Sequence, residues 1–226
     1  MREIVFDTET TGLDPATGDR LVEIGCIEMV NRVPTGRTFH AYFNPDRSMP
    51  IEAERVHGLS EAFLADKKRF HEHALELIEF LEDSPLVAHN AQFDFGFLNY
   101  ELGVCGHPEV VLERMIDTLV LARRRHPGAK HSLDALCMRY GIDRSHRVRH
   151  GALLDAELLA QVYVELTGGR QIGLALAAEV ASTIEVAAFR PRQREFRAPR
   201  PHSASAEELA RHKAFLETLD SALWAQ

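Results

Sequence analysis

The sequence predicts an α/β domain ending near residue 169, with helices around a central sheet, and after it a tail of different character. Three observations carry this. Short apolar or alternating runs of strand length come first. Later runs of that kind are mixed with segments whose apolar residues recur at helical spacing. Past residue 169 the composition turns to Ala and Leu, then to Arg and Pro.

Taken in order, Glu3–Phe6 is a short apolar run that ends in an acidic loop, and Leu21–Val30 reads as a second strand. Arg37–Phe43 alternates, with Phe39, Ala41 and Phe43 on one face, until Asn44-Pro45-Asp46 breaks it. Phe70, Ala74, Leu77, Ile78 and Leu81 follow helical spacing and predict an amphipathic helix over 70–82. Pro85-Leu86-Val87-Ala88-His89 is a further buried strand, and Phe93 to Leu102 a helix stopped by Gly103. Ser132 has the character of an N-cap and Gly141 of a residue just past a C-terminus, which frames a helix between them. Gly151–Leu166 is helical and closed by Gly168-Gly169.

The bulk numbers bound the class. The 226 residues, 45% apolar and 27% charged, suit one sizeable domain with extras. Cys26, Cys105 and Cys137 show no metal-like or disulfide-like spacing, so a reduced compartment without a zinc site is expected. The N-terminus enters a strand directly, and no apolar run reaches the ~20 residues of a membrane span, so a cytoplasmic protein is expected. A net charge of −8 argues against gripping nucleic acid over the whole surface. The charge is uneven, however. Residues 117–149 hold eight Lys/Arg against three Asp, a local +5 that leaves −13 for the rest. A basic strip beside an acidic cluster suits an enzyme acting on a phosphate backbone, and equally an ordinary charge-mixed surface.

Three segments carry the chemistry. Asp7 and Glu9 lie in Phe6-Asp7-Thr8-Glu9-Thr10-Thr11-Gly12, two apart at a strand end, so both side chains project to one side. Asp94 lies in His89-Asn90-Ala91-Gln92-Phe93-Asp94, after a strand and at a helix start, where an acid is also favoured by the helix dipole alone. His150 and Asp155 are five apart, about 140° around a helix at ~100° per residue, so Asp155 belongs to the helix and His150 to the loop before it. Four gathered carboxylates repel one another unless cations hold them together. Oxygen ligands of this kind favour Mg²⁺ or Mn²⁺, and two such ions are the usual apparatus for cutting phosphodiesters. His150 is the natural group for activating water, although a lone histidine is more often structural. His57 stands apart among the other histidines, and His126 and His131 read as loop residues.

Phe6–Leu13, Asn90–Leu98 and His150–Asp155, in this order, resemble the three motifs of the DEDDh (DnaQ-like) 3′→5′ exonucleases, and within them the epsilon proofreading subunits of bacterial DNA polymerase III. Lys130–Cys137 and the run from His150 through Gly169 share the likeness, which covers at least residues 1–169. The resemblance implies a ribonuclease H-like fold with a mixed five-stranded sheet flanked by helices. It implies two divalent ions on Asp7, Glu9, Asp94 and Asp155, His150 as general base, and release of 5′-monophosphates from mispaired, frayed 3′ DNA ends. Thr8, Thr10, His57 and Phe97 fall where such enzymes hold the terminal nucleotide.

The tail divides into 170–205, a clamp-binding segment with an Arg/Pro-rich linker, and 206–226, a helix that binds polymerase. Gln171-Ile172-Gly173-Leu174-Ala175-Leu176 resembles peptides that dock on the beta sliding clamp, with Gln171, Leu174 and Leu176 as the contacts, and equally an ordinary apolar helix start. Arg190–Pro201 holds five Arg and three Pro and is expected to be extended and flexible. Ser205-Ala206-Glu207-Glu208 marks a helix start, and Leu216, Leu219, Leu223 and Trp224 are expected to anchor on the polymerase alpha subunit, unless the tail folds back. A small theta-like subunit is an open further partner. Two rival readings are a stand-alone DEDDh exonuclease acting on RNA or in DNA repair, and a purely bridging subunit.

Overall fold

A computed structural model describes residues 1–145, 150–168 and 203–218. The chain divides into two units, Met1–Leu176 and Ala177–Gln226. The first is built on a five-stranded mixed sheet of β1 (Arg2–Thr10), β2 (Leu21–Val30), β3 (Val33–Tyr42), β4 (Leu86–Ala88) and β5 (Met115–Asp117), in the order β3-β2-β1-β4-β5. β1 is antiparallel to β2 and parallel to β4, and β4 is parallel to β5. The expected α/β fold with a mixed five-stranded sheet is therefore the one observed.

β1 is longer than its apolar run. It stays paired with β2 through Asp7↔Gly25 and Glu9↔Glu23, so the acidic residues belong to the strand, not to a loop after it. Asn31 and Arg32, both at positive φ, turn the chain from β2 into β3. β3 starts at Val33, four residues before the alternating stretch, because residues 33–38 are exposed throughout and show no period-2 signal.

Alternation along β1 sends neighbours to opposite faces. Ile4 and Phe6 pack with Ile24, Cys26, Phe39 and Ala41 under α3 (Phe70–Leu81) and α4 (Ala91–Val104). Val5 packs with Ile27, Met29 and Val87 under α7 (Ala152–Leu166). Odd residues of β1, including Asp7 and Glu9, thus share the α7 face. Arg2–Thr10 is central in the sheet, so its C-terminal end is the place where helices from both faces can converge.

Several boundaries agree with expectation. Ser132 caps α6 (Leu133–Tyr140) by accepting from the Ala135 N–H at 3.3 Å, and Gly141 closes it in the left-handed region at φ 66°. α4 corrects one expectation. It runs through Gly103 to Val104, and Gly106, at φ 77°, takes the left-handed position instead. The short helices α1 (Ile51–His57), α2 (Glu61–Leu64) and α5 (Thr118–Arg125) are additional. In the second unit, α8 (Ala206–Leu216) begins with a reciprocal Ser205–Glu208 capping box, as the Ser-Ala-Glu-Glu stretch predicts. Among the described residues no helix is long and apolar enough to cross a membrane.

Candidate active site

Three junctions deliver the acidic residues to one place. The first is the C-terminal end of β1, which carries Asp7 and Glu9. The second is the β4–α4 junction, where Asn90 adopts φ 63°, ψ 48° and turns strand directly into helix. Asparagine tolerates this conformation better than most residues, and Asn90's own N–H is held by Asp117 Oδ1 at 3.1 Å. Asp94 follows in the first turn of α4, buried, with Thr8 Oγ1 donating to its Oδ1 at 2.7 Å. The third is the start of α7, which lies on Gly25 of β2. A Cβ there would stand 2.5 Å from the Ala152 carbonyl carbon and nearer still to the Leu153 backbone. Gly25 is the cross-strand partner of Asp7, so this close approach brings α7 and Asp155 over the Asp7–Glu9 edge.

The result is a cleft of about 660 Å³ lined by Asp7, Thr8, Glu9, Asp94, His150 and Asp155 together. Ligand atoms of Glu9, His150 and Asp155 lie within 4.8 Å of one another. His150 Nδ1 is 3.1 Å from Asp155 Oδ2. A carboxylate accepts, so this contact orients the ring through a hydrogen on Nδ1 and turns Nε2 away from Asp155. Burial drives the Asp94 carboxyl up to about 7, against the lowering effect of the Thr8 hydroxyl bond. Four carboxylates, two of them deeply buried, form a hard oxygen donor set that fits divalent cations and fits little else.

The expected nucleotide contacts divide. Thr8 lines the cleft, but its hydroxyl is engaged with Asp94. Thr10 Oγ1 donates to the Gly12 carbonyl at 2.6 Å and is not part of the lining. Phe97 is a correction: it is 1% exposed within the core, and Phe93, whose ring centre is 5.1 Å away, reaches the cleft in its stead. His57 ends α1, 5% exposed, and its Nδ1 accepts from the Leu59 N–H at 3.0 Å. Its Nε2 is buried near Thr10, and His57 is not part of the cleft lining. Burial holds its pKa below the ordinary histidine value, against the pull of Glu23. Of the remaining lining, His89, Asn90 and Phe93 belong to the stretch that carries Asp94, and His131 to the Lys130–Cys137 likeness, none of them with a role assigned there except by position. Leu119 and Arg123 lie outside every motif, and the Lys/Arg excess over 117–149 was the signal for Arg123. Gln171, Leu174, Leu176, Leu219, Leu223 and Trp224 lie outside the described residues, and Leu216 is a half-buried residue at the end of α8.

Comparison with known proteins agrees with this geometry. Residues 4–163 match the family model described as Exonuclease (RNase_T). The chain is 50% identical over 222 residues to the DNA polymerase III subunit epsilon of Rickettsia felis, covering 97% of each. It is 41% identical to the Escherichia coli K12 protein of the same description, covering 99% of this chain and 97% of that one. Among solved structures, exonuclease X in complex with 5′ overhanging duplex DNA is similar at TM-score 0.55 and 28% identity, covering 73% of this chain and 90% of that one. An exonuclease I–single-stranded DNA complex at 19% identity, with TM-score 0.64, covering 75% of this chain and 41% of that one, shares the fold.

Proposed function

The chain belongs to the exonuclease family, and within it to the DNA polymerase III epsilon subunits, and from that membership we propose that it is the proofreading 3′→5′ exonuclease of a replicative polymerase core. The observation that carries the reading is the convergence of Asp7, Glu9, Asp94, His150 and Asp155 on one cleft from three distant segments.

Asp7, Glu9, Asp94 and Asp155 would hold two divalent ions, Mg²⁺ or Mn²⁺, which would supply Lewis-acid chemistry for phosphodiester hydrolysis. His150, oriented by Asp155, takes the water's proton on Nε2. Thr8 keeps Asp94 pointed into the cleft, where its carboxylate would serve as a cation ligand. His57, buried within reach of Thr10, is assigned to the pocket of the terminal nucleotide on the family likeness alone. Selectivity for mispaired ends needs no base readout: a frayed terminus supplies the unpaired strand the cleft accepts.

The partners follow the same reading. Tail residues Leu216, Leu219, Leu223 and Trp224 bind the polymerase alpha subunit, and Gln171, Leu174 and Leu176 bind the beta sliding clamp. A theta-like subunit joins the core in those assemblies that have one. The segments 170–205 and 206–226 then serve as clamp-binding linker and polymerase tether, and the assembly works in the cytoplasm. The deciding experiment is digestion of a mismatched primer terminus with Mg²⁺, with Mn²⁺ and with chelator, with and without the polymerase subunit. Metal-dependent release of 5′-monophosphates, faster in the complex, is expected. Digestion that persists in chelator, or that prefers RNA ends, would refute it.

A further inference from the structure

Arg123 is the one Lys or Arg among the described residues that line the cleft. Two other arginines of the basic strip are engaged elsewhere: Arg125 donates to the Leu166 carbonyl at 3.0 Å, and Arg144 pairs with Asp134 at 2.8 Å. Arg123 itself is exposed in the last turn of α5. The two histidines of the same lining are tied into the fold. Thr118 Oγ1 gives its hydrogen to the Ala88 carbonyl at 3.1 Å, so it must accept from His89 Nδ1–H at 2.9 Å. His131 Nε2–H donates to the His126 carbonyl at 2.7 Å. Burial, with a smaller contribution from Arg123, also keeps the His89 pKa below the ordinary value, so that ring adds no charge at neutral pH. Among the described residues, the permanent positive charge of this cleft therefore rests on one long, exposed side chain.

Cations held by Asp7, Glu9, Asp94 and Asp155 would neutralise the scissile phosphate and leave the next phosphate of the strand without a counter-charge from them. We propose that Arg123 binds this internucleotide phosphate, one step to the 5′ side of the scissile one, and so makes the enzyme select a strand over an isolated nucleotide ester. A planar guanidinium suits two phosphate oxygens at once, and a position off the carboxylate cluster suits a group that must not compete with the cations. This rests on the exonuclease reading given above.

The test compares a substrate that has internucleotide phosphates beyond the scissile one with a substrate that has none, each variant being read against wild type on the same substrate: a single-stranded oligodeoxynucleotide and the p-nitrophenyl ester of thymidine 5′-monophosphate. For Arg123→Ala, kcat/KM on the oligonucleotide should fall about tenfold or more beyond any change on the ester, mainly through KM, as a lost phosphate contact does. The slope of log kcat/KM against log salt should drop by about 0.7, the value for one phosphate contact on a single strand. Arg123→Lys should recover part of both. Equal losses on the two substrates would place Arg123 at the scissile phosphate and overturn the inference, and so would an unchanged salt slope. Wild-type protein inactive on both would sink the exonuclease reading itself, and the inference with it.

Discussion

Replacing Gly25 by alanine should disable the enzyme through a residue that has no functional group. The added methyl would lie 2.5 Å from the Ala152 carbonyl carbon and closer to Leu153 Cα and N. Carbon atoms rest at about 3.5–4.0 Å, so the start of α7 must retreat by roughly 1 Å or more. That start is rigid backbone and has no rotamer to change. The retreat carries Asp155, four residues past Gly151, away from Asp7 and Glu9, and His150 moves with it. Misplacement by 1 Å costs about 10²-fold in rate, whereas overpacking costs about 1–3 kcal/mol of stability. In a domain of this size each kcal/mol lowers Tm by about 2–4 °C, so the protein should remain folded at 25 °C while kcat collapses and metal affinity weakens. The assay is oligonucleotide digestion across a metal titration, alongside a thermal melt. Activity within about twofold of wild type at unchanged metal affinity would show that the contact does not position α7, and would refute the reasoning.

Other perturbations separate the roles of individual residues. In chelator, folding stability should fall as pH rises from about 4 to about 7. The folded state keeps the Asp94 proton through that window and the unfolded chain does not, so the native state binds more protons. Tm against pH should slope down, flatten with excess Mg²⁺, and lose the slope in Asp94→Asn; a flat profile in chelator would contradict the buried carboxyl. Loss of His150 (His150→Ala) should lower kcat by about 10²–10⁴ with the melt unchanged, and Asp7→Ala or Asp155→Ala should abolish cleavage. Retained cleavage in either aspartate variant would remove it from the metal set. Glu101, 1% exposed, receives Arg20 through two bonds of 2.7 Å. The Arg20→Met variant should lose about 3–5 kcal/mol in chemical denaturation, and adding Glu101→Leu should restore most of it, since the cost lies in the abandoned buried charge.

What the sequence discloses here follows physical rules. Leu21–Val30 and Phe70–Leu81 were legible because one is a largely apolar stretch of strand length, broken only by Glu23, Gly25 and Glu28, and the other a regular stripe. α6 was legible because Ser132 and Gly141 mark its two ends chemically. α1 was not, since Pro50 occupies its N-cap without a side-chain cap and most of its residues stay exposed. β5 is three residues long, too short for any period, and α5 after it ends in three arginines. The five acidic and histidine positions announced themselves because that chemistry needs those residue types. Gly25 and Arg123 did not. A glycine inside a strand and an arginine in a basic run have common structural uses, and only the packing of α7 and the shape of the cleft distinguish them.

The distance in sequence between Asp7 and Asp155 has a consequence for synthesis. Translation delivers Asp7 early in the domain and Asp155 only after most of it has emerged. Until α7 settles against β1 and β2, a growing polypeptide on the ribosome has not yet brought these carboxylates to one cleft.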